Sequence, residues 1–207
     1  MTDAWPPVLE RGVAGLAHEG EGRSGDLAVF APCARGGLLA VIDGLGHGDA
    51  AADASEAAAE IIRAYADEEA QRLLERCHEQ LRRTRGAVMT LAWFDLDART
   101  MSWTGVGNVE ARLIRAGEGP GARHDSPVVL GGVVGFNLPQ ARLGTVPLAP
   151  GDAVVIATDG VASDYSASLE PGITAQELAD RVLARHGKGT DDALAAAVRY
   201  LGSPAAT

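Results

Sequence analysis

Only two of the 207 residues are cysteines, Cys33 and Cys77. They lie far apart and in no CxxC spacing, which argues against a disulfide-stapled scaffold and structural zinc and suits two buried thiols in a reducing cytoplasm. Basic charge is also short: 18 Lys and Arg face 28 Asp and Glu, a formal net charge of −10, so nucleic acid is a poor partner. Long apolar runs are missing. The N-terminal MTDAWPPVLERG has neither the basic nor the apolar part of a signal segment, and PVVLGGVVGFNL is too short and glycine-broken to span a bilayer. A cytoplasmic protein without membrane association is expected. No repeat of fixed period and no Pro-, Gly- or Ser-rich linker divides the chain, so one domain over 1–207 is expected. There is no CxxxxxR signature and no GxSxG elbow, and the five histidines, His18, His47, His78, His124 and His186, show no metal-ligand spacing.

What is present is a set of short apolar or alternating runs and three helical patterns. VLERGVAGLAH, DLAVFAP and GLLAVI read as strands separated by glycine clusters. A helix follows from about Asp49, a good N-cap, through AAADASEAAAEIIRAYA. The next, EEAQRLLERCHEQLRRT, places Leu73, Leu74, Cys77 and Leu81 on one face. A β-meander is expected through AVMTLAWF, MSWTGV, a GN turn and VEARLIRA, and later ARLGTVPL and AVVIAT. The helix TAQELADRVLARH and the strand ALAAAVRYL close the chain. Strands around a central helix pair without regular βαβ alternation indicate a layered α+β fold with mostly antiparallel sheets.

The stretch VIDGLGHGDA, residues 41–50, poses a choice between a phosphate-cradling glycine loop and an acidic metal loop. A dinucleotide fingerprint needs a third glycine or alanine where Asp49 stands, and Asp43 and Asp49 would oppose a pyrophosphate at the helix N-terminus. The acidic reading is repeated elsewhere. AVVIATDG is again an apolar strand ending in Asp-Gly at Asp159, RSGDLAVF opens a strand at Asp26, and KGTDDALAAAV opens one at Asp191 and Asp192. Carboxylates gathered from four segments at one sheet edge cannot all stay ionised without cations. All-oxygen ligands select Mg2+ or Mn2+ over Zn2+. The glycine after each aspartate, as at Gly44, would let a backbone carbonyl approach an ion. Asn108 in GVGN could reach the substrate or its phosphate, although a hairpin turn explains it as well.

The order SGD, DGLGHG, GVGN, ATDG and TDDA resembles the metal-dependent type 2C (PPM) serine/threonine phosphatases, in their bacterial SpoIIE branch and its RsbX type. The resemblance runs from about Val8 to Leu201. It implies a four-layer α/β/β/α sandwich, two mostly antiparallel sheets with helix pairs outside, in a minimal form without the flap of larger relatives. It also implies two ions, Mn2+ or Mg2+, with Asp43 bridging them, Gly44 adding its carbonyl, Asp26 serving one ion and Asp159 and Asp191 the other. Asp43, Asp159 and Asp191 would carry catalysis. Glu19 and Asp192 are candidate acids behind the ligands, and Asn108 a candidate there or at the substrate. Ions about 3.5 to 4 Å apart could share an attacking water, so no protein nucleophile is needed.

The same resemblance implies phosphorylated STAS-domain proteins of a stressosome as substrates. The alternatives are a free anti-sigma-factor antagonist or, without catalysis, a partner-binding module. Two departures stand out. Relatives of eukaryotic type grip the phosphate with an arginine in the first motif, and Arg23 lies near that region without a secure alignment. In the wider family the histidine follows the bridging aspartate by two residues, in DGHGG, whereas His47 follows Asp43 by four. At about 3.3 Å per extended residue, that shift takes His47 away from a general acid's position.

Overall fold

The computed structural model describes residues 4–18, 20, 22–117 and 124–202. Its strands are β1 (Leu9–Leu16), β2 (Asp26–Cys33), β3 (Gly36–Gly44), β4 (Ala87–Asp95), β5 (Thr100–Val106), β6 (Glu110–Ile114), β7 (Val129–Leu130), β8 (Gly144–Pro147), β9 (Ala153–Ala157) and β10 (Ala193–Tyr200). Its helices are α1 (Asp49–Ala64), α2 (Ala70–Leu81) and α3 (Ala175–His186), with a 3-10 turn at Ser163–Ser168.

The strands form two sheets. One has the order β1-β10-β9-β6; the other has β2-β3-β4-β5-β7, with β8 also on β5. Every pairing is antiparallel except β5 with β7. Period-two alternation sorts each central strand between two apolar layers. Leu38, Ala40 and Ile42 of β3 pack beneath α1 and α2, with Ala58, Ile62, Leu73, Leu74, Cys77 and Leu81. Leu39 and Val41 face the other sheet, against Val154, Ile156, Ala196 and Val198. Beyond that second sheet, Ala153, Val155, Ala195 and Ala197 receive α3 through Ala175, Leu178 and Val182. The layers are therefore α/β/β/α, as the resemblance implies.

The first two helices, central in chain order, cover the outside of one sheet as the resemblance implies, because both faces of β3 and β4 are apolar and each needs its own cover. Several sequence expectations change. The opposite face carries one described α-helix, α3, with the 3-10 turn beside it, rather than a pair. The meander breaks at GVGN: β5 and β6 belong to different sheets, so Asn108 lies on a crossover and not in a hairpin. Asp49 is the first residue of α1, whose N-cap is Gly48 with no side-chain cap. The α3 start is better specified, since Thr174 and Glu177 close a reciprocal capping box. Both cysteines are free, and burial pushes each thiol up to about 12. No helix among the described residues is long and apolar enough to cross a membrane.

Candidate metal centre

Antiparallel register makes Asp26, the first residue of β2, the direct cross-strand partner of Asp43 near the end of β3. Asp159 follows β9 in the other sheet, and Asp191 and Asp192 precede β10, which pairs with β9. The two sheets thus present carboxylates from four segments at one common end. Asp26, Asp43, Asp159, Asp191 and Asp192 line a single cleft of about 140 Å3 with Leu45, Gly46, His47, Val88 and Asn108.

Three fixed contacts shape this cleft. Thr158 Oγ1 donates to Asp26 Oδ2 at 2.6 Å while accepting from the Leu194 amide at 2.9 Å, a link between the sheets. The Asn108 side-chain amide donates to Asp159 Oδ2 at 2.8 Å, so the crossover residue orients a carboxylate. Lys188, the chain's single lysine, donates from Nζ to the Asp159 carbonyl at 2.6 Å. Thr158 and Lys188 escaped the sequence reading. Thr158 had a local signal in its place beside Asp159 in ATDG; Lys188 had none, because its partner lies across a loop.

The two acids of the TDD motif divide. Asp191 is exposed on the cleft, whereas Asp192 is 4% exposed and its carboxylate accepts from the backbone amides of His18 and Gly25, both at 2.7 Å. Asp192 therefore pins the β1–β2 connection that delivers Asp26. Ser55 of α1 donates to the Gly25 carbonyl from the other side. Glu19 lies outside the described residues. Arg23 is not among the residues lining the cleft and is held by acids of α1: Asp53 at 2.8 Å, Glu56 at 2.9 Å and Asp49 at 3.5 Å.

The glycines after Asp43 and Asp159 have a steric purpose. A Cβ on Gly44 would lie 2.1 Å from the Ala51 carbonyl oxygen, and one on Gly160 would lie 1.9 Å from that of Asp192. Their missing side chains let α1 and the approach to β10 close onto the acidic loops. Gly44 itself is not among the residues lining the cleft.

Electrostatics state what the cleft needs. Burial, then repulsion from Asp43, Asp192 and Asp159, pushes Asp26 up to about 8 against the relief from Thr158. Burial, then repulsion from Asp159, Asp191 and Asp192, pushes Asp43 up to about 7. A buried and a half-buried acid that both resist ionisation at neutral pH call for cations. Among the described residues no three His, Cys, Asp or Glu side chains close tightly on one point. The carboxylates that do line the cleft are hard oxygen donors, the ligand type of Mg2+ or Mn2+, which keep several waters and take few protein ligands each. The donor set fits such ions, with Asp26, Asp43, Asp159 and Asp191 as the carboxylates that would hold them.

Residues 35–205 match the family model described as Stage II sporulation protein E (SpoIIE). Over 166 residues, 80% of this chain and 81% of the relative, the sequence is 26% identical to phosphoserine phosphatase RsbX of Bacillus subtilis (strain 168). A chain solved in work on the bacterial stressosome as a modular system adapted to control secondary messenger signalling superposes with a TM-score of 0.82. It is 28% identical, and the match covers 92% of this chain and 99% of that one. The crystal structure of RsbX in complex with magnesium gives a TM-score of 0.80 at 24% identity, covering 92% and 94%.

Proposed function

The chain belongs to the SpoIIE family and is an RsbX-like protein phosphatase of the PPM type, and from that premise we propose that it hydrolyses phosphoserine or phosphothreonine on a STAS-domain protein of a stressosome-like complex in the cytoplasm, with two Mn2+ or Mg2+ ions and one catalytic domain over 1–207. The observation that carries this reading is the convergence of Asp26, Asp43, Asp159 and Asp191 from both sheets on one cleft, with Asp26 and Asp43 pushed up to about 8 and 7.

When bound, the ions supply Lewis acidity for attack by water at phosphorus and offset charge on the phosphate oxygens. The chain's own part is placement. Thr158 holds one oxygen of Asp26, Asn108 holds one oxygen of Asp159, and Lys188 fixes the backbone beneath Asp159, so ligands need little reorganisation. Asp159, Asp191 and His47 are exposed at the mouth. Between Asp159 and Asp191 the chain forms only the 3-10 turn, α3 and their connections. A mouth without a flap admits a folded partner's surface, which favours a phosphorylated protein over a free metabolite.

The test is Mn2+-dependent phosphate release from a phosphorylated STAS-domain protein, compared with a loose peptide carrying the same phosphoresidue. Much faster release from the folded protein is expected. Equal rates would remove the docking argument, and faster release from a free anti-sigma-factor antagonist would move the substrate outside the stressosome.

His47 lines the cleft, with its ring 5.6 Å from that of His18. His47 is exposed and follows Asp43 by four residues, which shifts it along the loop away from a general acid's position. The variant His47→Ser is expected to keep kcat within about tenfold, about 1.4 kcal/mol of barrier. A loss of about a thousandfold, together with loss of one limb of the pH-rate profile, would make His47 the proton donor instead.

A further inference from the structure

With Arg23 committed to α1 and Lys188 to the Asp159 carbonyl, a further cation next to the acidic loop is uncommitted among the described residues. Arg85 stands in the turn between α2 and β4. Its guanidinium fills the space over Gly46, where a Cβ would lie 2.5 Å from Nη1. Gly46 and its neighbours Leu45 and His47 line the acidic cleft. The same turn is tied to that loop by the Leu45 amide, which donates to the Gly86 carbonyl at 3.0 Å. The Arg85 side chain is exposed, and no hydrogen bond or ion pair joins it to any described residue. In a chain with ten more acids than bases, an arginine packed over the Gly46 end of the acidic loop that pairs with no described carboxylate is left for an anion from outside. A planar guanidinium can grip two phosphate oxygens at once, which an ammonium cannot.

Across Gly86 lies Phe136. A Cβ on Gly86 would meet its Cδ2 at 2.9 Å, and Phe136 is 65% exposed. The rim therefore joins a cation and an apolar shelf around one turn, a combination that fits a phosphorylated side chain carried on a segment with an apolar neighbour.

We infer that Arg85 captures the phosphate of the incoming phosphoserine or phosphothreonine at the mouth of the cleft, with Phe136 holding the apolar residue beside it. This rests on the phosphatase reading and assigns the phosphate grip to the turn before β4, not to Arg23.

The experiment uses the full chain with Mn2+ and three readouts: hydrolysis of p-nitrophenyl phosphate, hydrolysis of a phosphorylated STAS-domain protein, and the affinity for inorganic phosphate measured by calorimetry. For Arg85→Ala, KM for both substrates and the Kd for phosphate should rise about tenfold or more, with a smaller fall in kcat and an unchanged melting temperature. Arg85→Lys should recover part of the phosphate affinity while keeping the fold. Phe136→Ser should raise KM for the protein alone. Phosphate Kd and both KM values within twofold of the parent in Arg85→Ala and Arg85→Lys would overturn the assignment. Equal KM changes on both substrates in Phe136→Ser would remove the apolar shelf. Absence of turnover by the parent protein is a separate result: it overturns the phosphatase reading, while the phosphate affinities still judge Arg85.

Discussion

Asp43→Asn should cost about a thousandfold or more in kcat, about 4 kcal/mol of barrier, and excess chelator should abolish hydrolysis by the parent protein until Mn2+ or Mg2+ is returned. Asparagine keeps the shape of the side chain and removes only the charge that faces the ions. The same change has the opposite effect on the metal-free fold. Asp26 and Asp43 rise to about 8 and 7 in the folded protein, against about 4 for an ordinary aspartate. The folded state thus binds more protons than the unfolded state between those values. Without metal, stability should therefore fall as pH rises from about 4 through about 8 and level off above, since the slope follows the protons held by the unfolded state minus those held by the folded state. Ions must displace those protons, so the melting-temperature gain from Mg2+ should be larger at pH 8 than at pH 5.5. Asp43→Asn removes one of the acids that resist ionisation and should melt higher than the parent protein in chelator at pH 8. Hydrolysis that continues undiminished in chelator, or a metal-induced gain that shrinks as pH rises, would refute this account.

Asp192→Ala is expected to lose about 3 kcal/mol of stability. Each backbone hydrogen bond to a charged acceptor is worth about 1.5 to 3 kcal/mol. Two amides, those of His18 and Gly25, lose their acceptor together, and removal of one like charge from the cluster offsets part of the loss. The Asp26 end of β2 hangs on the same anchor, so turnover should fall as well. In Asp192→Asn one oxygen becomes an amino group facing a backbone donor, and roughly half of the loss should remain. Urea denaturation in chelator measures both variants without interference from metal. A loss below about 1 kcal/mol for Asp192→Ala would mean that the β1–β2 connection is held elsewhere. By contrast, Asp191→Ala leaves that anchor in place and should lose metal affinity and turnover with little change in the denaturation midpoint.

Local pattern was enough to place most elements. The alternation in GLLAVI, AVVIAT and ALAAAVRYL and the helical face Leu73, Leu74, Cys77, Leu81 report burial directly, because side-chain direction repeats every two residues in a strand and every 3.6 in a helix. Aspartates at strand ends were visible for the same reason: an apolar run stops where the sheet meets solvent, and a carboxylate placed there sits at an edge. The motif order from SGD to TDDA carried the family resemblance, which the SpoIIE match over 35–205 bears out.

Partnership between distant segments was not legible, because nothing local encodes it. Strand β5 reads like the first arm of a hairpin, yet the next strand joins the other sheet. Asn108 is thereby carried to Asp159 and out of the role of a turn residue. Asp191 and Asp192 are adjacent and chemically identical. Both line the cleft, but Asp191 stays exposed there while the Asp192 carboxylate is taken up by the amides of His18 and Gly25, more than 160 residues away in sequence. Arg23 and Arg85 are equally plain arginines in sequence, and only the acids of α1 around one, with the open rim of the cleft beside the other, tell them apart. Local pattern along the chain picks out which residues could bear charge at a sheet edge. Which of them face each other is a matter of the packed sheets, because their contacts, and the raised pKa values of Asp26 and Asp43, depend on distances that chain separation does not set.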